Sequence, residues 1–266
     1  MLKRCIIAFF SLTLLCLTST AALGQPLSPH IDQSALQNGL VKVNYTPAKD
    51  VTTKLMISKG DKSYTYSLKS SDQYPLQLGN GEYTVSILEN VIGNQYRVVK
   101  KEKLAVKLTD KNKVFLQSTQ IINWQPDMEA IKKAKQLTEK ATNDSEKITA
   151  IYNYIVTTIR YDHATANTVV TDYVPSIEQT LQSAQGICYD YSALMAAMLR
   201  SVGVPTKLVM GRKNDIPNYH AWNLVYVKDR DEWLTIDPTY DAAFVQKDLP
   251  STMIKNSTEY VTEKEY

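Results

Sequence analysis

The chain has 266 residues, 44% of them apolar and 21% charged. That is a length for one or two domains and a balance outside those of disordered or fibrous sequences. A formal charge of only +3 excludes a polyanion binder held by a broad basic surface.

The first two dozen residues stand apart. Lys3 and Arg4 form a basic head, 6–17 is a mostly apolar run, and Ala22-Leu23-Gly24 places small residues where a signal peptidase reads. Residues 1–24 are therefore expected to be a signal peptide cut before Gln25, giving a secreted, extracellular or cell-surface protein. The apolar run is too short for a stable membrane span. Leu14 and Leu15 stand before Cys16 where a lipobox needs small residues. Cleavage removes two of the 30 basic residues and no acids, so +1 remains against 27 acids. It also removes Cys5 and Cys16, leaving Cys188 as the single cysteine, without a partner for an internal disulfide.

Residues 25–38 read as a polar leader. From 39 to 121 short alternating segments are separated by turn residues: 40–45, 54–58, 63–68, 82–88, 96–99, 104–108 and 114–118. Seven strands at this spacing suggest an immunoglobulin-like β-sandwich, without the cysteine pair of antibody domains. Domain order alone suggests that the sandwich positions the C-terminal domain on a wall or a partner. The character changes at Asn123-Trp124-Gln125-Pro126, which puts a domain boundary near 122. Asp127 can cap a helix running to about Ala141. Asn143-Asp144-Ser145 caps a second helix, whose apolar stripe is Ile148, Tyr152, Ile155 and Ile159. A polar loop spans 162–173, and Pro175 opens a short helix that ends near Gly186.

The stretch from Gly186 to Asp241 carries the chemistry. A helix over 189–202 stops at Gly203, with Tyr191, Leu194, Met195, Met198, Leu199 and Val202 on its apolar face. Cys188 therefore stands at its N-terminus, where unpaired amides and the positive dipole end favour a thiolate. The same amides can hold an oxyanion, and Gly186 admits close approach of another backbone or a substrate. A strand over 206–210 precedes a β-hairpin of 220–227 with 232–237. Its loop sets position 237 opposite 220 or 222, and in either register His220 and Asp237 share a face. Cys188, His220 and Asp237 then form a nucleophile, base and orienter set. Tyr189 and Trp222, beside the first two, are candidates for a substrate groove, although Trp222, Trp233 and Tyr226 are most simply core aromatics. His30 falls in the leader and His163 in a polar loop, as a surface residue. The one mature cysteine and three histidines are not at metal-ligand spacing, so no metal is expected. Ser192 lacks a Gly-x-Ser-x-Gly context, and there is no Gly-rich phosphate loop.

These residues form a familiar series. Gly186-x-Cys188-x-Asp190-Tyr191-x-Ala193-Leu194, Leu199-Arg200-x-x-Gly203-Val204-Pro205, Gly211, His220-Ala221-Trp222-Asn223 and Trp233-x-x-Ile236-Asp237-Pro238-Thr239 resemble the core of the transglutaminase-like superfamily. The resemblance is strong from Gly186 to Tyr240, extends more weakly back through Ile159-Arg160-Tyr161, and does not cover the sandwich. It implies an α+β fold: an all-β sandwich, then a papain-like domain over 122–266 with a Cys-bearing helix packed on an antiparallel sheet. It implies the triad Cys188, His220 and Asp237, and an upstream side chain helping to hold the oxyanion, for which Gln182, Gln185 and Tyr161 are the candidates. The implied activity is acyl transfer or hydrolysis through a thioester on glutamine carboxamides or peptide bonds. The substrates are proteins or peptides, cell-wall-associated ones included, and no cofactor or nucleic acid is involved. Without an EF-hand-like loop, calcium dependence is not implied. Transglutaminase, deamidase and peptidase remain open, as does a non-catalytic binding module that keeps the fold.

Overall fold

A computed structural model of the chain describes residues 30–69, 72–170 and 172–266. The expected signal peptide, with Cys5 and Cys16, lies outside the described residues.

The N-terminal part is built from two antiparallel sheets. One has the order β1 (His30–Asp32), β2 (Leu40–Asn44) and β5 (Gln73–Pro75). The other has the order β4 (Lys62–Ser67), β3 (Thr53–Lys59), β6 (Gly81–Ile92) and β7 (Gln95–Val106). Alternation places Leu55 and Ile57 of β3, Tyr64 and Tyr66 of β4, and Tyr83, Val85 and Ile87 of β6 in one core. The strands differ in detail from the sequence expectation. The expected leader contributes β1, because Ile31 is buried and the segment pairs with β2. The segments 96–99 and 104–108 belong largely to one long strand, β7, which β6 pairs along its length with two register shifts. The expected strand at 114–118 is instead a 3-10 turn, Lys113–Leu116, which buries Val114 and Phe115.

The C-terminal part comprises α1 (Glu129–Leu137), α2 (Asp144–Thr158), β8 (Arg160–Tyr161), α3 (His163–Thr168), α4 (Ile177–Ser183) and β9 (Gln185–Gly186). There follow α5 (Cys188–Ser201), β10 (Thr206–Lys213), β11 (Ile216–Val227), β12 (Glu232–Ile236), α6 (Pro238–Val245) and β13 (Tyr260–Glu265). The sheet order is β12-β11-β10-β13, all antiparallel. α1 is capped not by Asp127 but by Glu178 of α4, whose carboxylate accepts from the amides of Glu129 (3.1 Å) and Ala130 (2.9 Å). Asn143 does cap α2, accepting from the Glu146 amide at 2.9 Å, and its apolar stripe is buried.

α5 is buried around nearly its whole circumference, not on one face. Several of its polar groups are tied to neighbouring elements, while the buried Ser192 hydroxyl has no partner among the described residues. The Arg200 guanidinium donates to the main-chain oxygens of Thr206 (2.8 Å), Gln117 (2.8 Å) and Tyr266 (3.0 Å). The Ser192 carbonyl accepts from the Asn223 side chain at 2.9 Å, tying α5 to β11. The Tyr191 hydroxyl donates to the Ile159 carbonyl, tying α5 to the end of α2.

β13 joins the two parts. Tyr266 packs edge-on against Tyr64, with ring centres 5.4 Å apart, and against Tyr66 at 6.4 Å. The Glu265 amide donates to the Tyr64 hydroxyl at 3.1 Å. Gly211 on β10 makes this close sheet possible: a Cβ there would collide with the Val261 carbonyl of β13 and stand 3.1 Å from the Trp222 ring. Gly211→Ala is expected to cost about 1–3 kcal/mol, as overpacking at a tight contact does. Thermal unfolding checks it, and an unchanged midpoint would contradict the reading.

Candidate active site

The site is assembled at the start of α5. β8 and β9 pair in parallel, with Arg160 opposite Gln185 and Tyr161 opposite Gly186. This brings the end of α2 beside the turn that precedes Cys188. Asp190, one turn into α5 and buried, reaches back to accept from the Ile187 amide at 2.8 Å, while the Tyr173 hydroxyl donates to its other oxygen at 2.6 Å. Gly186 is needed because Asp190 lies against it: an added Cβ would sit 2.6 Å from the Asp190 Cβ. Cys188 is thereby fixed as the first residue of α5. Ile187 at the cap position has no side-chain acceptor, so no side chain caps the first-turn amides, and they remain available to an oxyanion.

The candidate base, His220, comes from β11. Asn223 pairs with Ile236, and extending that register by one position sets Trp222 across from Asp237. His220 then lies on the same face, one pair away, and its Nε2–H donates to Asp237 Oδ2 at 2.7 Å. The other ring nitrogen, Nδ1, is left to the thiol, and Cys188 lies within hydrogen-bonding reach of the ring. Burial of the imidazole opposes its protonation. The hydrogen bonds to Asp237 and Cys188 and their charges outweigh that, and His220 is pushed up to about 10. His220 is 5% exposed and Asp237 fully buried, whereas Cys188 is half-buried: the thiol is reachable and its helpers are not.

Asp237 is held at both oxygens. Oδ1 accepts from the Tyr240 amide at 3.0 Å, which makes Asp237 the cap of α6. Oδ2 accepts a second bond, from the Tyr260 hydroxyl at 3.1 Å. Burial and the Asp237 charge push the Tyr260 phenol up, so it remains a donor. Sequence reasoning missed Tyr260. It lies on a strand with exposed polar residues, 23 positions beyond Asp237, and only the paired sheet reveals their meeting. Tyr260→Phe keeps the ring against Trp222 (5.0 Å) but removes the donor. Alkylation of Cys188 at neutral pH is expected to slow by about tenfold, the scale of one hydrogen bond to a charged group. An unchanged rate would show that Tyr260 does not position Asp237.

The remaining candidates separate. Tyr161, 40% exposed, stands beside the nucleophile: burial, then the charges of Cys188 and Asp162, push its phenol up. Gln182 and Gln185 are exposed, and neither lines the cleft beside His220. Trp222 is only 1% exposed. It stacks beside His220 with ring centres 6.3 Å apart, so it supports the histidine and does not face a groove. Tyr189 is half-buried and lines a second cleft, of about 270 Å³, between the two parts of the chain. His163 begins α3, not a loop, and lies at the edge of the cleft beside His220, its ring centre 4.9 Å from that of Tyr161. Ser192 is fully buried and out of reach of a substrate. Among the described residues, no three His, Cys, Asp or Glu side chains converge to hold a metal, and no helix is long and apolar enough to cross a membrane.

A thiol at a helix start, an imidazole, and a carboxylate on a neighbouring strand end define the papain-like class of cysteine site. Residues 131–238 match the transglutaminase-like superfamily, a span that contains all three side chains. A protein-glutamine gamma-glutamyltransferase of Pseudomonas aeruginosa is 36% identical over 70 residues, covering 22% of this chain and 10% of that protein. The matched segment thus spans about a tenth of that relative's length. Among solved structures, a candidate cysteine protease of Cytophaga hutchinsonii aligns over 81% of this chain and 76% of its own, with 16% identity and a TM-score of 0.45. Legionella pneumophila LapG aligns over 52% and 84%, with 15% identity and a TM-score of 0.34.

Proposed function

We propose that the chain is a secreted cysteine-dependent acyl transferase or hydrolase that acts on glutamine carboxamides or peptide bonds of proteins or peptides. The observation that carries this reading is the reachable Cys188 thiol at the start of α5, beside an imidazole held by Asp237 at 2.7 Å. In the proposed reaction the Cys188 thiolate attacks the carbonyl carbon. The oxyanion is met by first-turn amides of α5, with Tyr161 alongside. The tetrahedral adduct collapses as the C–N bond breaks and the His220 imidazolium gives its proton to the departing nitrogen, releasing ammonia or an amine. In the second half, neutral His220 takes a proton from water or from an incoming amine, which attacks the thioester and restores the thiol. Water gives deamidation or proteolysis, and a lysine amine gives a cross-link.

Incubation with a glutamine-bearing protein and a labelled amine tests this. Amine incorporation identifies transfer, ammonia alone identifies deamidation, and new termini identify proteolysis. None of the three, with Cys188 labelling equally by a thiol probe in the parent and in His220→Ala, would favour a binding module that keeps the fold.

A further inference from the structure

The cleft beside His220, about 590 Å³ in volume, lies between the β8–α3 segment and α6. Arg160 and His163 contribute from one wall and Lys247 from the other, with Tyr240 and Phe244 supplying aromatic surface, and no Asp or Glu lines it. Arg160 and Lys247 are exposed, and neither forms an ion pair among the described residues. Two nearby carboxylates, those of Asp162 and Asp215, are committed elsewhere. Asp162 accepts from the Thr165 amide (2.9 Å) and hydroxyl (2.7 Å). Asp215 is held by Lys213 at 2.5 Å and by the Tyr240 hydroxyl at 2.9 Å. A cleft lined by cations of one sign and by aromatic rings, in a chain of nearly balanced charge, concentrates anionic ligands beside the reacting thiol.

We propose that the substrate segment received by this cleft is acidic: a polypeptide carrying Asp or Glu next to the reacting carboxamide or peptide bond. This rests on the reading of Cys188 as nucleophile and adds the chemistry that selects the acyl donor. Carboxylates flanking the reacting residue pair with Arg160 and Lys247, while Lys-flanked substrates meet like charge at the same place.

The test uses short glutamine peptides flanked by Glu, Ser or Lys. Binding is measured by anisotropy on the full chain carrying Cys188→Ala, and amine incorporation on the active chain. The Glu-flanked peptide is expected to bind about tenfold more tightly than the Lys-flanked one, as two exposed ion pairs set against like-charge contacts suggest. That preference should shrink in high salt and reverse in Arg160→Glu/Lys247→Glu, with the unfolding midpoint of each variant measured to establish that it is folded. Equal binding of the Glu- and Lys-flanked peptides, or a preference that survives the double reversal in a folded variant, overturns the proposal. Product formed without charge preference would likewise overturn it while leaving the acyl-transfer reading intact. Charge-selective binding with no product from any peptide would sustain the acidic-ligand site and count against acyl transfer.

Discussion

His220→Ala should slow thioester formation by about three orders of magnitude, within the range set by losing a positioned general acid and base. The variant loses the group that takes the thiol proton and later returns it to the leaving nitrogen. It also leaves the buried Asp237 with the Tyr240 amide and Tyr260 hydroxyl as its remaining donors. The same substitution should alter stability with pH in a defined direction. The folded state raises His220 from 6.5 to about 10, so the protonated form is favoured by folding. That contribution is fully present below the unfolded value of 6.5 and is lost as pH rises through about 10. Denaturant unfolding across this window should show the parent losing stability relative to His220→Ala as pH climbs. Parallel curves would mean that the ring is not held as an imidazolium.

Arg200→Met is expected to destabilise the fold by about 2 kcal/mol or more, since each buried acceptor left without a donor costs about 1–3 kcal/mol. Three main-chain oxygens, of Gln117, Thr206 and Tyr266, lose the guanidinium together, and that of Tyr266 keeps the Leu208 amide at 3.0 Å. Burial draws the guanidinium down to about 9, so it remains charged at neutral pH, and relief of that buried charge offsets part of the loss. The three acceptors belong to the segment leading out of the sandwich, to the first strand of the C-terminal sheet and to the end of β13. Losing their common donor should therefore loosen both parts of the chain at once. Arg200→Lys keeps a cation but not the planar fork that serves three directions, and should recover only a fraction. The urea midpoint measures both; a loss under about 1 kcal/mol for Arg200→Met would show that the carbonyls find other partners.

Much of the site could be read from the sequence because its parts obey local rules. Cys188 precedes a helix that Gly203 and Pro205 terminate, and one hairpin register brings His220 and Asp237 to the same face. What escaped reading depends on contacts distant in sequence. Glu178 replaces Asp127 as the cap of α1 because a carboxylate from another helix reaches two free amides. The segment 114–118 alternates like a strand but folds as a turn, burying Val114 and Phe115. β1 and β5 have three residues each, too few for alternation to register. β13 was invisible because most of its exposed residues are polar, and with it went Tyr260 and the link from Tyr266 to the sandwich. For Trp222 the core reading holds over the groove that adjacency to His220 suggested: the ring is buried and packs on Tyr260. The sandwich also makes a contact that domain order did not suggest: Tyr64 and Tyr66 pack on Tyr266, just beyond the far end of the strand that carries Tyr260.

The central claim is that His220 and Asp237 activate Cys188. Its most direct measurement is the rate of Cys188 alkylation by iodoacetamide from mildly acid to mildly alkaline pH, in the parent chain and in His220→Ala. Activation by the pair predicts rapid reaction of the parent in the acid half of that range, lost in the variant. Superimposable profiles for the two proteins would contradict it.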